Sequence, residues 1–169
     1  MKRDTEHRRL EKIAHHEAGH AVIMHHFGVE IDELSIKPNV DRMAGVKPKT
    51  GDTNPLSTNP DEIFARFERS VLSFLGGLAA EHIYNREPKN ISPIGSQKDL
   101  ENAKELLRAF NVEVSPQDLI DEFFNKVVGL LKENWGAVET LSQALIKKGT
   151  VTGEEAVKII EESMERERR

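Results

Sequence analysis

Between Asn59 and Ile83 the apolar residues return at the three- and four-residue spacing of a helix, through Ile63, Phe64, Phe67, Val71, Phe74, Leu75, Leu78 and Ile83. An apolar face this wide must be covered by other elements, so a long buried helix is predicted, with further helices packed around it. Its start is marked by Asn59, a side-chain cap, followed by Pro60, whose φ already suits a first helical turn.

The rest of the chain supplies those partners. A first helix is predicted from Thr5 to His26, with Leu10, Ile13, Ala14, Ala21 and Val22 at helical spacing and Gly28 as its stop. Alternation over Glu33 to Lys37 puts Leu34 and Ile36 on one face of a short strand. Met43 to Lys47 returns beside it after a turn containing Pro38, Asn39 and Asp41. Pro48, Gly51, Asn54 and Pro55 make residues 48–60 a loop. A third helix opens near Ser96 with Leu100, Ala103, Leu107 and Phe110. A fourth opens at Ser115-Pro116 and is expected to run past Trp135 to about Lys148. Gly149 closes it, and Thr152 with Glu155 forms a capping box for a last helix. The expected fold is mostly α: a single compact helical domain over residues 1–169 with a small β-hairpin between the first and second helices.

Composition narrows the function. A net charge of -5 with interspersed signs gives no positive field for nucleic acid. The longest apolar stretch, Val71 to Ala80, is about half of the ~20 residues that cross a bilayer, so no membrane span is expected. Cysteine is absent, which excludes disulfides, thiolate metal sites and a Cys nucleophile. It fits a reducing compartment, and a cytoplasmic location is expected.

The segment His15-His16-Glu17-Ala18-Gly19-His20 lies inside the first predicted helix. Residues four apart share a helix face, so His16 and His20 can direct two imidazole nitrogens at one ion. Glu17 is turned about 100° from His16, beside an ion rather than on it, where a general base belongs. Zinc suits imidazole donors and activates water, but a catalytic zinc needs a third protein ligand. Glu81, His82 and Asp99 are the candidates downstream, and the residues alone do not choose among them. His15, His25 and His26 lack spacing partners and read as surface or packing residues.

His16-Glu17-Ala18-Gly19-His20-Ala21-Val22 closely resembles the zinc-binding helix of the FtsH-type peptidases, the protease domains of membrane-anchored AAA+ proteases. Leu75-Gly76-Gly77-Leu78-Ala79-Ala80-Glu81 resembles that family's buried helix. Ser96-Gln97-Lys98-Asp99-Leu100-Glu101-Asn102-Ala103 is similar to the helix start that supplies its third ligand, and Gly149 to Glu155 looks like its closing turn. The resemblance implies Asp99 as third ligand; Glu81 then fits as a group orienting a ligand imidazole. It also implies a zinc endopeptidase acting on unfolded or loosely structured polypeptides, and a homo-oligomeric ring. The sequence departs from the family in lacking a P-loop, in reading Ile91-Ser92-Pro93-Ile94-Gly95 before the third ligand, and in its loop over residues 38–60. No ATPase activity is therefore expected of these residues, and a separate ATPase partner is. The strand residues Leu34, Ser35, Ile36 and Lys37 are expected to receive an extended peptide by edge pairing. The rival expectation is a catalytically idle, metal-bearing interaction module that docks on an ATPase or oligomerises.

Overall fold

Helix α1, Lys2–His26, stops where the sequence places a residue free to adopt positive φ. Gly28 sits at φ 70°, its N–H donates to the His25 carbonyl at 3.0 Å, and the Val29 N–H donates to Met24 at 2.8 Å. These two bonds form a Schellman motif and satisfy carbonyls that the helix end leaves open. The computed structural model describes residues 2–37, 45–48, 59–85, 96–109 and 115–169. The turn expected at residues 38–44 and the loop over residues 49–58 lie outside these, as do the breaks before α3 and α4.

After α1 come β1 (Ile31–Ser35), β2 (Gly45–Pro48), α2 (Pro60–Asn85), α3 (Ser96–Ala109), α4 (Pro116–Glu133), α5 (Trp135–Lys148), β3 (Thr150–Thr152) and α6 (Gly153–Glu167). The fold is mostly helical, as expected, with the hairpin β1–β2 between the first two helices. The start of α2 is built as the sequence predicts: Asn59 Oδ1 accepts from the Asp61 N–H at 3.0 Å.

Helix α2 is the centre of the packing and contacts α1, α3 and α4. Val71, Leu72, Leu75, Leu78 and Ala79 are buried in the same core as Ala14, Ala18, Ala21 and Val22 of α1, Ala103 and Leu107 of α3, and Val127 and Leu131 of α4. Two glycines allow α1 and α2 to come unusually close. A Cβ on Gly19 would lie 2.5 Å from both the Gly76 carbonyl oxygen and the Ala80 Cβ, and a Cβ on Gly76 would lie 2.8 Å from the Gly19 oxygen. Helix α5 packs on α1, and α6 packs on α5 and β1.

Three details differ from the sequence reading. The helix expected to run on to Lys148 is two helices, α4 and α5, broken at Asn134, whose φ of -122° leaves the helical region. Residues 150–152 form a third strand, giving the antiparallel sheet order β2-β1-β3. The capping box is half made: Thr152 Oγ1 accepts from the Glu155 N–H at 3.3 Å, while the Glu155 carboxylate pairs with Lys148. Among the described residues no helix is long and apolar enough to cross a membrane.

Candidate metal centre

The close approach of α1 and α2 lays the ring of His16 and the ring of His20 against one row of α2. His16 Nδ1 donates to Glu81 Oε1 at 2.8 Å. His20 Nδ1 lies 2.7 Å from the Ser73 carbonyl oxygen, which can only accept, so this nitrogen carries a proton. The Gly77 N–H is directed at the same Nδ1 at 3.3 Å, a longer contact than the 2.7 Å one to Ser73, and the shorter contact decides where the proton sits. In its neutral form each ring therefore turns a bare Nε2 lone pair inward.

Those lone pairs meet each other and a carboxylate. The two Nε2 atoms are 3.0 Å apart, and Asp99 Oδ2 lies 3.0 Å from His16 Nε2 and 3.2 Å from His20 Nε2. Asp99 comes from the first turn of α3, which α2 holds in place through the buried Ala103 and Leu107. It is the candidate that joins the two imidazoles; Glu81 stands behind His16, on the far side of the ring from Asp99. His82 packs edge-on against Phe124, 5.6 Å between ring centroids, and takes no part.

Three acceptor atoms so close together repel one another unless a positive charge sits among them. A proton can do this, and so can a metal ion. Tetrahedral zinc with bonds of ~2.0–2.1 Å sets its ligands about 3.3–3.4 Å apart, within a few tenths of an ångström of the 3.0 to 3.2 Å found. Two imidazoles and a carboxylate are donors that zinc accepts, so this group could hold a metal ion.

The electrostatics follow from the same geometry. Burial alone would depress the His16 imidazole, but the Asp99 and Glu81 carboxylates outweigh it and raise it to about 10. Burial opposes ionisation of Asp99 too, yet hydrogen bonds to His16 and His20 hold its carboxyl well below the usual range. Glu17 is 5% exposed, and burial pushes its carboxyl up while the nearby imidazoles pull it back. A carboxylate raised towards neutrality is suited to taking up and releasing a proton.

His15 is a packing residue. Its ring stacks on Tyr84 at 4.2 Å and lies 5.8 Å from Trp135, and its Nδ1 donates to the Glu11 carbonyl at 2.7 Å.

One expectation needs correcting. Leu34, Ser35, Ile36 and Lys37 offer no free edge, because β1 is the central strand, paired with β2 on one side and β3 on the other. Beyond it the Ile36 N–H donates to Gly149 and the Lys37 N–H to Ser35 Oγ, and Leu34 is fully buried. The reason is β3, three residues between two glycines that sequence patterning reads as turn and cap. Sequence reasoning also missed Ser73, which acts through a backbone carbonyl and leaves no side-chain signal, and Gly77. A Gly-Gly pair inside an apolar helix is a signal for the latter, since each glycine costs a helix roughly 1 kcal/mol. No family model matches the chain, and no curated protein matches it.

Proposed function

We propose that this chain is a zinc-dependent endopeptidase domain of the FtsH-like kind, with His16, His20 and Asp99 holding the metal and Glu17 as general base. The observation that carries the reading is the convergence of three lone-pair atoms within 3.2 Å, with both imidazoles fixed from behind so that their free nitrogens face inward. A zinc ion held there supplies Lewis acidity, polarising a carbonyl and making water more acidic.

The chain's own residues do the rest. Glu81 and the Ser73 carbonyl keep each imidazole in the tautomer that binds metal. Glu17, next to His16 on α1, takes a proton from the attacking water and returns it to the amine that leaves. Its raised proton affinity serves both halves of that transfer. An extended substrate would pair with the outer edge of β2, which no strand among the described residues covers, since both sides of β1 are used. Main-chain pairing of this kind requires a segment already unfolded, and a separate ATPase would supply such segments from folded proteins.

The test combines elemental analysis of the purified protein with degradation of an unfolded casein-type substrate, with and without a chelator. Stoichiometric zinc and chelator-sensitive cleavage are expected, and Glu17→Gln should keep the metal and lose cleavage. Bound zinc with no cleavage of any unfolded substrate would instead mark the domain as an idle metal-bearing interaction module. Absence of metal binding would end both readings.

A further inference from the structure

Helix α2 carries two adjacent glycines in its buried middle, and the structure gives them different tasks. Gly76 faces the α1 backbone, where its missing side chain permits the close approach to Gly19. Gly77 faces the imidazoles. A Cβ there would fall 2.5 Å from His20 Nε2 and 2.6 Å from both Nε2 and Cε1 of His16. Real Cβ contacts do not come so close, and the atoms in the way are the two inferred metal donors.

The rings cannot simply step aside, because each is tied to α2 from behind. His20 hangs from the Ser73 carbonyl at 2.7 Å and His16 from Glu81 Oε1 at 2.8 Å. Residues 73, 77 and 81 are spaced four apart, so they form one row along α2. The row has an acceptor at each end and an empty place in the middle. The two imidazoles of α1, also four apart, run antiparallel to it and converge over the empty place.

We infer that Gly77 is a positioning residue of the metal centre: its lack of a side chain is what allows the Nε2 atoms of His16 and His20 to reach a common ion while both keep their α2 anchors. Any side chain at this position forces a choice between the anchor and the convergence. The inference rests on the metal-binding reading above and adds to it a residue with no donor atom.

The test is zinc affinity of the full chain, measured by competition with a chromophoric chelator, for the wild type and Gly77→Ala. Loss of outer contacts to metal ligands typically weakens binding 10–100-fold. Displacing two ligands at once should reach at least the upper end, about a 100-fold rise in Kd. Helical circular dichroism and thermal unfolding of the metal-free proteins accompany it, in the wild-type background and in His16→Ala/His20→Ala. The drop in Tm caused by Gly77→Ala should largely vanish once the imidazoles are gone. If Gly77→Ala binds zinc within about threefold of wild type, the inference is overturned while the metal reading stands. It is equally overturned if the Tm penalty persists without the imidazoles, because the glycine then serves helix packing. If the wild type itself fails to bind zinc, the metal reading falls and takes this inference with it.

Discussion

Gly19→Ala and Gly129→Ala make the same chemical change inside two helices and should shift stability in opposite directions. Alanine is favoured over glycine in a helix interior by about 0.8–1.0 kcal/mol, so with nothing else involved either substitution would stabilise. Gly129, in α4, meets that condition: nothing lies within 4 Å of where its Cβ would be. At Gly19 the new methyl would sit 2.5 Å from the Gly76 carbonyl oxygen and 2.5 Å from the Ala80 Cβ, well inside ordinary contact. One of those atoms is backbone and the other is the first atom of a side chain, so neither can swing away. The helices must separate by about an ångström, and overpacking of this kind costs roughly 1–3 kcal/mol, here at the upper end. Setting ~3 kcal/mol against the propensity gain leaves about 2 kcal/mol of destabilisation. At 2–4 °C per kcal/mol for a chain of this size, Gly19→Ala should lower Tm by about 4–8 °C, while Gly129→Ala raises it by about 2–4 °C. Thermal unfolding with chelator present isolates this packing effect from any metal. A Gly19→Ala protein as stable as the wild type would refute the close-crossing account of α1 and α2.

Three further outcomes are expected. Glu81→Gln keeps an acceptor for His16 Nδ1 but loses the charge, so zinc affinity should fall about tenfold, and Glu81→Leu about 100-fold; chelator competition reads both, and equal affinities in all three proteins would remove Glu81 from the site. The metal-free protein should lose stability as pH rises, because His16 is raised from 6.5 to about 10: the protonated ring's contribution is complete below pH 6.5 and disappears as pH approaches 10. Urea midpoints at pH 6 and pH 9 test this, and with zinc bound the trend should weaken or reverse, since the metal displaces that proton. His15→Ala removes a ring lodged between Tyr84 and Trp135 and should cost about 2–3 kcal/mol in denaturant unfolding, yet leave zinc affinity within a few-fold, since His15 supplies no donor to the site.

How much of this could be read in advance depended on how local each cause is. The helices were legible because apolar spacing and end signals sit within a few residues of each other: Asn59-Pro60, Gly28 and Gly149 all act where patterning places them. The i, i+4 pair His16 and His20 is a local fact as well. Asp99 is not, since it reaches the imidazoles across 79 to 83 residues of chain, and the residues alone left it level with Glu81 and His82. The break at Asn134 was hidden because apolar periodicity continues through it, with Leu131 and Val138 both buried. Strand β3 was hidden for another reason. Thr152 both ends the strand and caps α6, so the capping signal masked the pairing of Val151 with Leu34.

The geometry also says why the inferred metal site would be part of the fold and not an addition to it. Bringing two Nε2 lone pairs and a carboxylate oxygen within 3.2 Å is unfavourable in the absence of a cation. The packing that enforces it is nevertheless extensive: α1 lies against α2 through Gly19 and Gly76, and α3 is held on α2 by Ala103 and Leu107. A proton on His16 relieves the conflict through bonds to Asp99 and Glu81, which is why that imidazole is raised to about 10. A divalent ion relieves it further, because it accepts lone pairs from all three donors at once, whereas one proton on His16 Nε2 is shared between Asp99 and His20. Metal binding should therefore tie α3 more firmly to α1 while barely moving the α1–α2 pair, whose contact is set by the glycines. Amide exchange with and without zinc separates these. Protection that rises in the first turn of α3 and not along the Gly19–Gly76 crossing is the expected pattern; uniform protection of both would mean that the ion organises the whole bundle and that the helix crossing does not pre-form the site.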